Sequence, residues 1–493
     1  MLPSLVDLLR SGAPRFGPGL AQDACARGLA VTNLDGSVRP IPVTATPVIL
    51  PKDEILRRAT VSTLLSRAAL KMARHILSGP DREILLCALS PLERRLAEET
   101  FAHVSMLATT RVDYFVAGTP FALEVNATIP AMQGYSDIAA NAFIEHVGRY
   151  AGLDDRRIAD LQGRNGSNAL ALYRALLESY AAQRGGATPN RILLLCRRND
   201  AQITEQRYLA ERFTELGTEA EVVHPDELSG EDAIQARGRS WDLVYRHLFA
   251  RRLEETPNPF VENFFATFYK WRTVLLNPPS AQVEVKTTFA LLSRALVEPS
   301  LAQAAGLEKD ELLAIADLVP WTRSLRAGPA LAPGGEHVDD LVAYVAVHPE
   351  RFVIKRAWDY GGKAVFVGRM LGTPQFDERA RAAYGEALDW SALCVRAAQD
   401  STGGGFVVQE YVESKPEPHV LCTTEGVHDA ELYVDFSSYG TVAPGRMPQW
   451  GGVCRGSVSP IVNIVGGGGV LPLITTEVAD RLLTAFRAQL PPR

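Results

Sequence analysis

Two short segments, RVDYF at residues 111–115 and LEVNATIP at 123–130, flank a turn-like AGTP and carry side chains whose types and spacing suit metal and phosphate chemistry. Side chains two apart on a strand share a face, so Arg111 and Asp113 stand together on the first arm, and Glu124 and Asn126 on the second. A turn at Ala117–Pro120 sets Arg111 opposite Asn126 and Asp113 opposite Glu124, leaving Val112, Tyr114, Leu123 and Val125 for an apolar back. Hard oxygen ligands beside a guanidinium fit Mg²⁺ with phosphate, because magnesium is commonly held by one or two carboxylates while phosphates and waters complete its octahedron. The same pattern also fits an exposed hairpin whose charges pair on its wet face.

Phosphate-binding cations come later in the chain. Lys286 in VEVKTTFALL and Lys355 in FVIKRAWDYGGK are predicted on separate strands, with Asp359 and a flexible Tyr360-Gly361-Gly362-Lys363 just after the second. Glycines admit close backbone approach to phosphate, lysines supply point charge, and Asp359 is placed to join Glu124 and Asn126 around a metal. An ordinary Gly-Gly hairpin reads the same way. Neither G-x-x-x-x-G-K-[ST] nor a strand followed by G-x-G-x-x-G is present, which argues against P-loop enzymes and Rossmann dehydrogenases.

The elements that must hold these residues follow from periodicity. Residues 53–78 have apolar positions three and four apart and stop at Ser78-Gly79-Pro80. Ser90-Pro91-Leu92-Glu93 then combines an N-cap, a proline at the first helical position and a capping-box glutamate. From residue 151 strands alternate with helices: RILLLC at 191–196, a helix over 204–217, AEVVH at 220–224 and WDLVYRHL at 241–248. This predicts a small parallel sheet, with Arg197, Arg198, Tyr245 and Arg246 at strand carboxyl ends, where open sheets bind ligands. Each of these arginines could equally be solvated. A further sheet is expected to run from FVIKRAWDYGGKAVFVG (352–368) through FVVQEYVES (406–414) and ELYVDFSSYG (431–440) to GGVCRGSVSPIVNIVGGGG (451–469).

The 493 residues, 46% hydrophobic and 22% charged, describe globular material. That length is enough for about three domains. A formal charge of −6, with lysines and arginines spread along the chain, gives no basic stripe and argues against nucleic-acid binding. No run reaches bilayer-spanning length and the N-terminus lacks a signal-like segment, so the expectation is a cytoplasmic protein with no membrane association. Six dispersed cysteines read as reduced core residues, and nine scattered histidines without ligand spacing argue against zinc.

The order of these motifs resembles the circularly permuted ATP-grasp ligases, the group of eukaryotic-type glutathione synthetases, glutathionylspermidine synthetases and many uncharacterised bacterial enzymes, over residues 105–470. That resemblance implies an α/β (α+β) fold: a permuted ATP-grasp core with an inserted parallel-sheet domain. Its divisions would be 1–150 (helical region plus metal hairpin), 151–280 (substrate domain) and 281–493 (nucleotide-binding subdomains and a closing glycine-rich loop). It further implies ATP and Mg²⁺, with Lys286, Lys355, Gly361 and Gly362 at the phosphates. Gln409, Glu410, Tyr411 and Val412 would form the adenine hinge, and Glu431 would lie at the ribose. Glu124, Asn126 and Asp359 would hold the metal, and Arg111 and Arg455 would serve the reacting carboxylate, with Asp113, Arg197, Tyr245 and Arg246 as further substrate positions.

The implied reaction joins a small carboxylic acid to an amine (an amino acid, peptide or polyamine) through an acyl phosphate, releasing ADP and phosphate. A partner-dependent peptide-modifying ligase and a non-catalytic nucleotide-binding regulator remain as alternatives, and a homodimer is compatible with the sequence. Tyr360-Gly361-Gly362 and Gly466–Gly469 read as lid or hinge elements, the latter equally as a linker.

Overall fold

The computed structural model describes residues 4–105, 107–117, 119–359, 362, 364–442, 450–462, 464 and 468–489. Its largest sheet has seven strands in the order Glu417–Thr423, Val43–Thr44, Gly469–Leu471, Gly452–Ser457, Gly426–Gly440, Thr110–Ala117, Thr119–Asn126. Among the described residues only the pairing of Gly469–Leu471 with Val43–Thr44 is parallel in this sheet, so the sheet is mixed. The predicted hairpin forms its edge, with Arg111 opposite Asn126 and Asp113 opposite Glu124. Beyond Asp113 the register slips by one residue, pairing Tyr114 with Ala122 rather than Leu123. Such a bulge re-aims side chains. Leu123 therefore leaves the expected apolar back and lines the front cavity, while Ala122 takes its place in the core.

The back of this sheet is covered by the helix Lys52–Ser78, which stops at Gly79. Its buried Ile55, Leu65, Ala69 and Met72 meet Val112, Tyr114, Val125, Phe436 and Cys454 in one core cluster. Truncating a residue such as Leu65 to Ala in such a core costs about 2–5 kcal/mol. The helix Pro91–Thr100 begins with the expected capping box between Ser90 and Glu93. Glu93 also accepts a 2.8 Å hydrogen bond from the Trp358 indole, tying this cap to the loop that carries Asp359.

The strands expected to form one C-terminal sheet divide between two. Phe352–Arg356, Val365–Val367 and Phe406–Glu410 join Thr322–Ser324 in a separate four-stranded antiparallel sheet, whereas Gly426–Gly440 and Gly452–Ser457 pair with the hairpin. Strand periodicity fixes which faces are apolar but not which edge a strand meets. Lys286 is not on a strand either. It is the N-cap of the helix Thr287–Ala295, preceded by the single turn Ala281–Glu284. The β-branched VEV pattern is overridden by tertiary contacts: Glu284 turns inward to accept the backbone N–H of Thr128 at 2.7 Å and that of Ala127.

The predicted parallel sheet is present, ordered Val274–Leu276, Leu243–His247, Arg191–Cys196, Glu219–Val223, with the helix Ile203–Glu215 connecting Arg191–Cys196 to Glu219–Val223. Of the six cysteines, Cys196, Cys394, Cys422 and Cys454 are buried, Cys25 is partly exposed and Cys87 is exposed, so the core reading fails for the last two. Among the described residues no helix is long and apolar enough to cross a membrane.

Candidate functional site

The front of the seven-stranded sheet is built from alternation. Arg111, Asp113 and Phe115 project from one strand, and their register partners Tyr439, Ser437 and Asp435 from the next, where Asp435 in turn faces Arg455. Arg111 donates to both oxygens of Asp113, at 2.7 and 3.1 Å, and to the Ala131 carbonyl at 3.1 Å. Arg455 reaches Asp113 at 2.9 Å and also donates to both oxygens of Asp435. Burial alone would raise the Asp113 carboxyl, but the Arg111 and Arg455 charges override it and hold it well below the usual carboxylate range.

Above this face lies the four-stranded sheet, and the two enclose a cleft. One wall presents Asp113, Phe115, Leu123, Glu124, Asp435 and Arg455. The other presents Val353, Lys355, Val365, Val367 and the run Gln409–Val412, with Lys286 and Asp359 at the mouth. The Lys286 ammonium sits 3.1 Å from the Glu124 carboxylate and 3.0 Å from the Asp359 carbonyl oxygen, so one lysine joins the hairpin to the loop after Phe352–Arg356. The Lys355 ammonium donates to the Gln409 side-chain oxygen at 2.6 Å, and Gln409 donates to Thr322 at 3.1 Å. Burial pushes the Lys355 pKa from 10.5 down to about 8, with Glu124 opposing and Lys286 adding to the fall.

A second, larger cavity of about 350 Å³, against about 140 Å³ for the cleft, opens towards the parallel sheet. The two share Asp113, Glu124, Lys286, Asp359, Gly362, Arg455 and Val462. The second alone is lined by Arg111, Asn126, Tyr135, Arg197, His247, Phe249, Arg252, Glu284 and Trp358, among others. Met132, on its wall, holds a left-handed φ of 88° at the N-cap of the helix Gln133–Tyr150. Such a conformation in a non-glycine residue persists only where surrounding structure imposes it.

Glu124 and Asp359 line both cavities and Asn126 lines the second, an oxygen donor set of the hard kind a magnesium ion takes, and Lys286 and Lys355 on the cleft wall match phosphate oxygens. Gly362 lies between the cavities with φ +68°, and a Cβ there would meet Ile461 at 2.8 Å, so the position accepts only glycine without strain. Tyr360, Gly361, Lys363, Gly466 and Gly467 lie outside the described residues.

Some expected positions are elsewhere. Glu431 is exposed on the first half of the strand Gly426–Gly440, opposite Pro418, where that strand projects beyond the cleft. Tyr245 is buried in the core beneath the parallel sheet. Arg246 is buried and donates to the carbonyls of Asn277 at 2.7 Å, Leu248 at 2.5 Å and Pro278 at 3.1 Å, acting as a brace for the chain entering the Lys286 segment. Arg198 is exposed and paired with Asp226. Arg197 does line the second cavity, held by Asp200 at 2.9 Å. Sequence reading missed Asp435, although strict alternation through ELYVDFSSYG places it on the same face as Glu431, two pleats nearer the centre.

No protein-family model matches this chain, and no curated protein does. Among solved structures, the apo form of a glutathione synthetase-like effector from Globodera pallida superposes with a TM-score of 0.58 at 11% identity, covering 94% of this chain and 97% of the effector. A candidate γ-glutamylcysteine synthetase from Methylobacillus flagellatus, also 11% identical, covers 82% of this chain and 86% of its own length at a TM-score of 0.38, too low to argue from. The first likeness defines the fold class: a mixed α/β architecture of the glutathione synthetase-like kind.

Proposed function

We propose that this protein is an ATP- and Mg²⁺-dependent carboxylate–amine ligase with a circularly permuted ATP-grasp fold. The supporting observation is the seam at which the inter-sheet cleft and the second cavity share Asp113, Glu124, Lys286, Asp359, Gly362 and Arg455. A transferred phosphoryl group needs an entry from a nucleotide on one side and an acceptor on the other, and the seam is bounded in that way. The permutation reading rests on chain order, since the metal-bearing hairpin precedes both lysines.

In this reading the adenine lies along Gln409–Val412, and Lys355 and Lys286 bind the phosphates. Glu124, Asn126 and Asp359 would hold magnesium, which when bound would supply positive charge against the phosphate oxygens. Arg111, committed to Asp113 and the Ala131 carbonyl, positions the acidic face, while Arg455 stands where the acceptor carboxylate enters. An oxygen of that carboxylate attacks the γ-phosphorus, the bond to the ADP oxygen breaks, and an acyl phosphate forms. An amine then attacks the acyl carbon, phosphate leaves, and the amine loses a proton as the amide forms. Catalysis here is positioning and charge stabilisation, so no protein nucleophile is needed.

The test is to incubate the purified chain with ATP, Mg²⁺ and a library of acids paired with amines, and to identify the products, with hydroxylamine present to trap an activated carboxylate. ADP with phosphate and a hydroxamate supports the reading. AMP with pyrophosphate replaces it with adenylation, and nucleotide binding without turnover on any acceptor, co-expressed peptides included, replaces it with a regulatory role.

A further inference from the structure

The strongest cluster outside the proposed ATP machinery lies at the carboxyl edge of the parallel sheet. Cys196 and His247 end adjacent strands and are register partners, and Asp200 follows in the loop leading to the helix Ile203–Glu215. One ligand atom from each of the three lies within 4.8 Å of the others. Cys196 and His247 are buried, and Asp200 and His247 line the second cavity. Cys196 and Asp200 are close in sequence but His247 is far from both, so no ligand spacing reveals the set, and the argument against zinc from scattered histidines does not reach this site.

We propose that Cys196, Asp200 and His247 bind a zinc ion whose remaining coordination position opens into the second cavity. The His247 Nε2 atom is 3.5 Å from an Asp200 oxygen, long for a charge-assisted hydrogen bond. It matches an edge of about 3.4 Å between nitrogen and oxygen ligands on a tetrahedral zinc. A thiolate, an imidazole and a carboxylate form a borderline-soft set suited to zinc rather than magnesium. An outer layer is also in place: Arg197 holds the second Asp200 oxygen at 2.9 Å, and the Gln202 amide donates to the first at 3.0 Å. On binding, the Cys196 S–H bond breaks, its proton passes to solvent and a Zn–S bond forms. Three protein ligands beside a cavity define an open site, whose fourth position takes water or a nitrogen or sulfur donor from the cavity's occupant.

The inference goes beyond the ligase reading, and the experiment contains no nucleotide, so either can fail alone. The full chain is purified under reducing conditions, equilibrated with excess zinc, freed of loose metal by gel filtration and assayed for metal. It is also reconstituted with cobalt to look for thiolate-to-cobalt charge-transfer absorption. Wild type is expected to retain about one metal per chain. Cys196→Ser and His247→Gln, and the near-isosteric Asp200→Asn as a variant least disturbing to folding, each weaken retention by more than about 100-fold. Circular dichroism confirms that each chain compared is folded. A folded wild type that retains no zinc, a cobalt complex without the thiolate band, or folded variants that keep zinc as wild type does would each overturn the assignment.

Discussion

The Lys286 ammonium lies 3.1 Å from the Glu124 carboxylate, joining a helix N-cap to the edge hairpin of a sheet more than 150 residues away in sequence. In the absence of nucleotide each charge holds the other at the seam. When phosphates and magnesium enter, lysine pairs with the former and the carboxylate with the latter, so no charge is left buried alone.

Glu124→Ala therefore separates catalysis from stability. The carboxylate is partly exposed but Lys286 is nearly buried and keeps only the Asp359 carbonyl, so loss of the pair should cost about 1–3 kcal/mol of folding stability. Loss of a metal-binding charge from phosphoryl transfer should lower turnover by at least about 100-fold. ADP release measured against magnesium concentration, beside a denaturant melt, checks both halves. A wild-type rate in this variant removes Glu124 from the site.

Asp113 behaves in the opposite manner. It is the carboxylate against Arg111 and shares Arg455 with Asp435, so Asp113→Asn leaves the buried Arg111 facing only a neutral amide and the Ala131 carbonyl and should destabilise the fold by about 3–5 kcal/mol. Because its folded pKa lies below the unfolded value, its contribution is complete above about pH 4 and is lost only as pH falls further. Urea titrations of both proteins at pH 7 and at pH 2.5 measure this, the two midpoints drawing together at the lower pH, and equal midpoints at pH 7 would contradict it.

Much of this was legible in sequence, and the misses share a cause. The hairpin register up to Asp113, the stop of the first helix at Gly79, the capped start of the second at Ser90 and the parallel sheet are local patterns: alternation, a Ser-Gly-Pro break, a capping box, apolar runs between helices. What failed depended on distant partners. Leu123 was misplaced because a one-residue bulge leaves no mark in an alternating sequence. Val283 and Val285 favour a strand through Lys286, whereas the fold uses Glu284 to accept from the Ala127 and Thr128 amides. Strand ends often carry ligand residues, which is why the sequence points to Arg246. Its burial against three carbonyls depends on where the Asn277–Pro279 segment passes.

Lys355 makes nucleotide binding sensitive to pH. Its pKa of about 8 means that near pH 8 the empty protein carries this ammonium only partly protonated, and phosphate binding draws it back to the charged form. ATP binding at pH 8 should take up a fraction of a proton, seen as calorimetric heats that differ between buffers of different ionisation enthalpy, and affinity should fall as pH rises above 8. For the empty protein the sign is reversed. Between about pH 8 and 10.4 the unfolded chain holds more of this proton than the folded one, so this group's contribution to stability increases with pH. Buffer-independent heats at pH 8 would contradict the assignment.

Gly362→Ala tests the seam by shape alone. The left-handed backbone and the approach to Ile461 make the added methyl group a source of strain of about 1–3 kcal/mol, placed between the two cavities. ATP affinity and turnover should fall together, without any change in charge. Unaltered values of both would show that the loop relaxes away from the site.

The central claim is that two sheets close on one nucleotide, and it is tested most directly by calorimetric titration of the intact chain with a non-hydrolysable ATP analogue, with and without magnesium. The account predicts magnesium-dependent binding at one site per chain, abolished in Lys355→Ala and in Glu124→Ala while both remain folded. Binding that is absent from the wild type, or that survives unchanged in both variants, would contradict it.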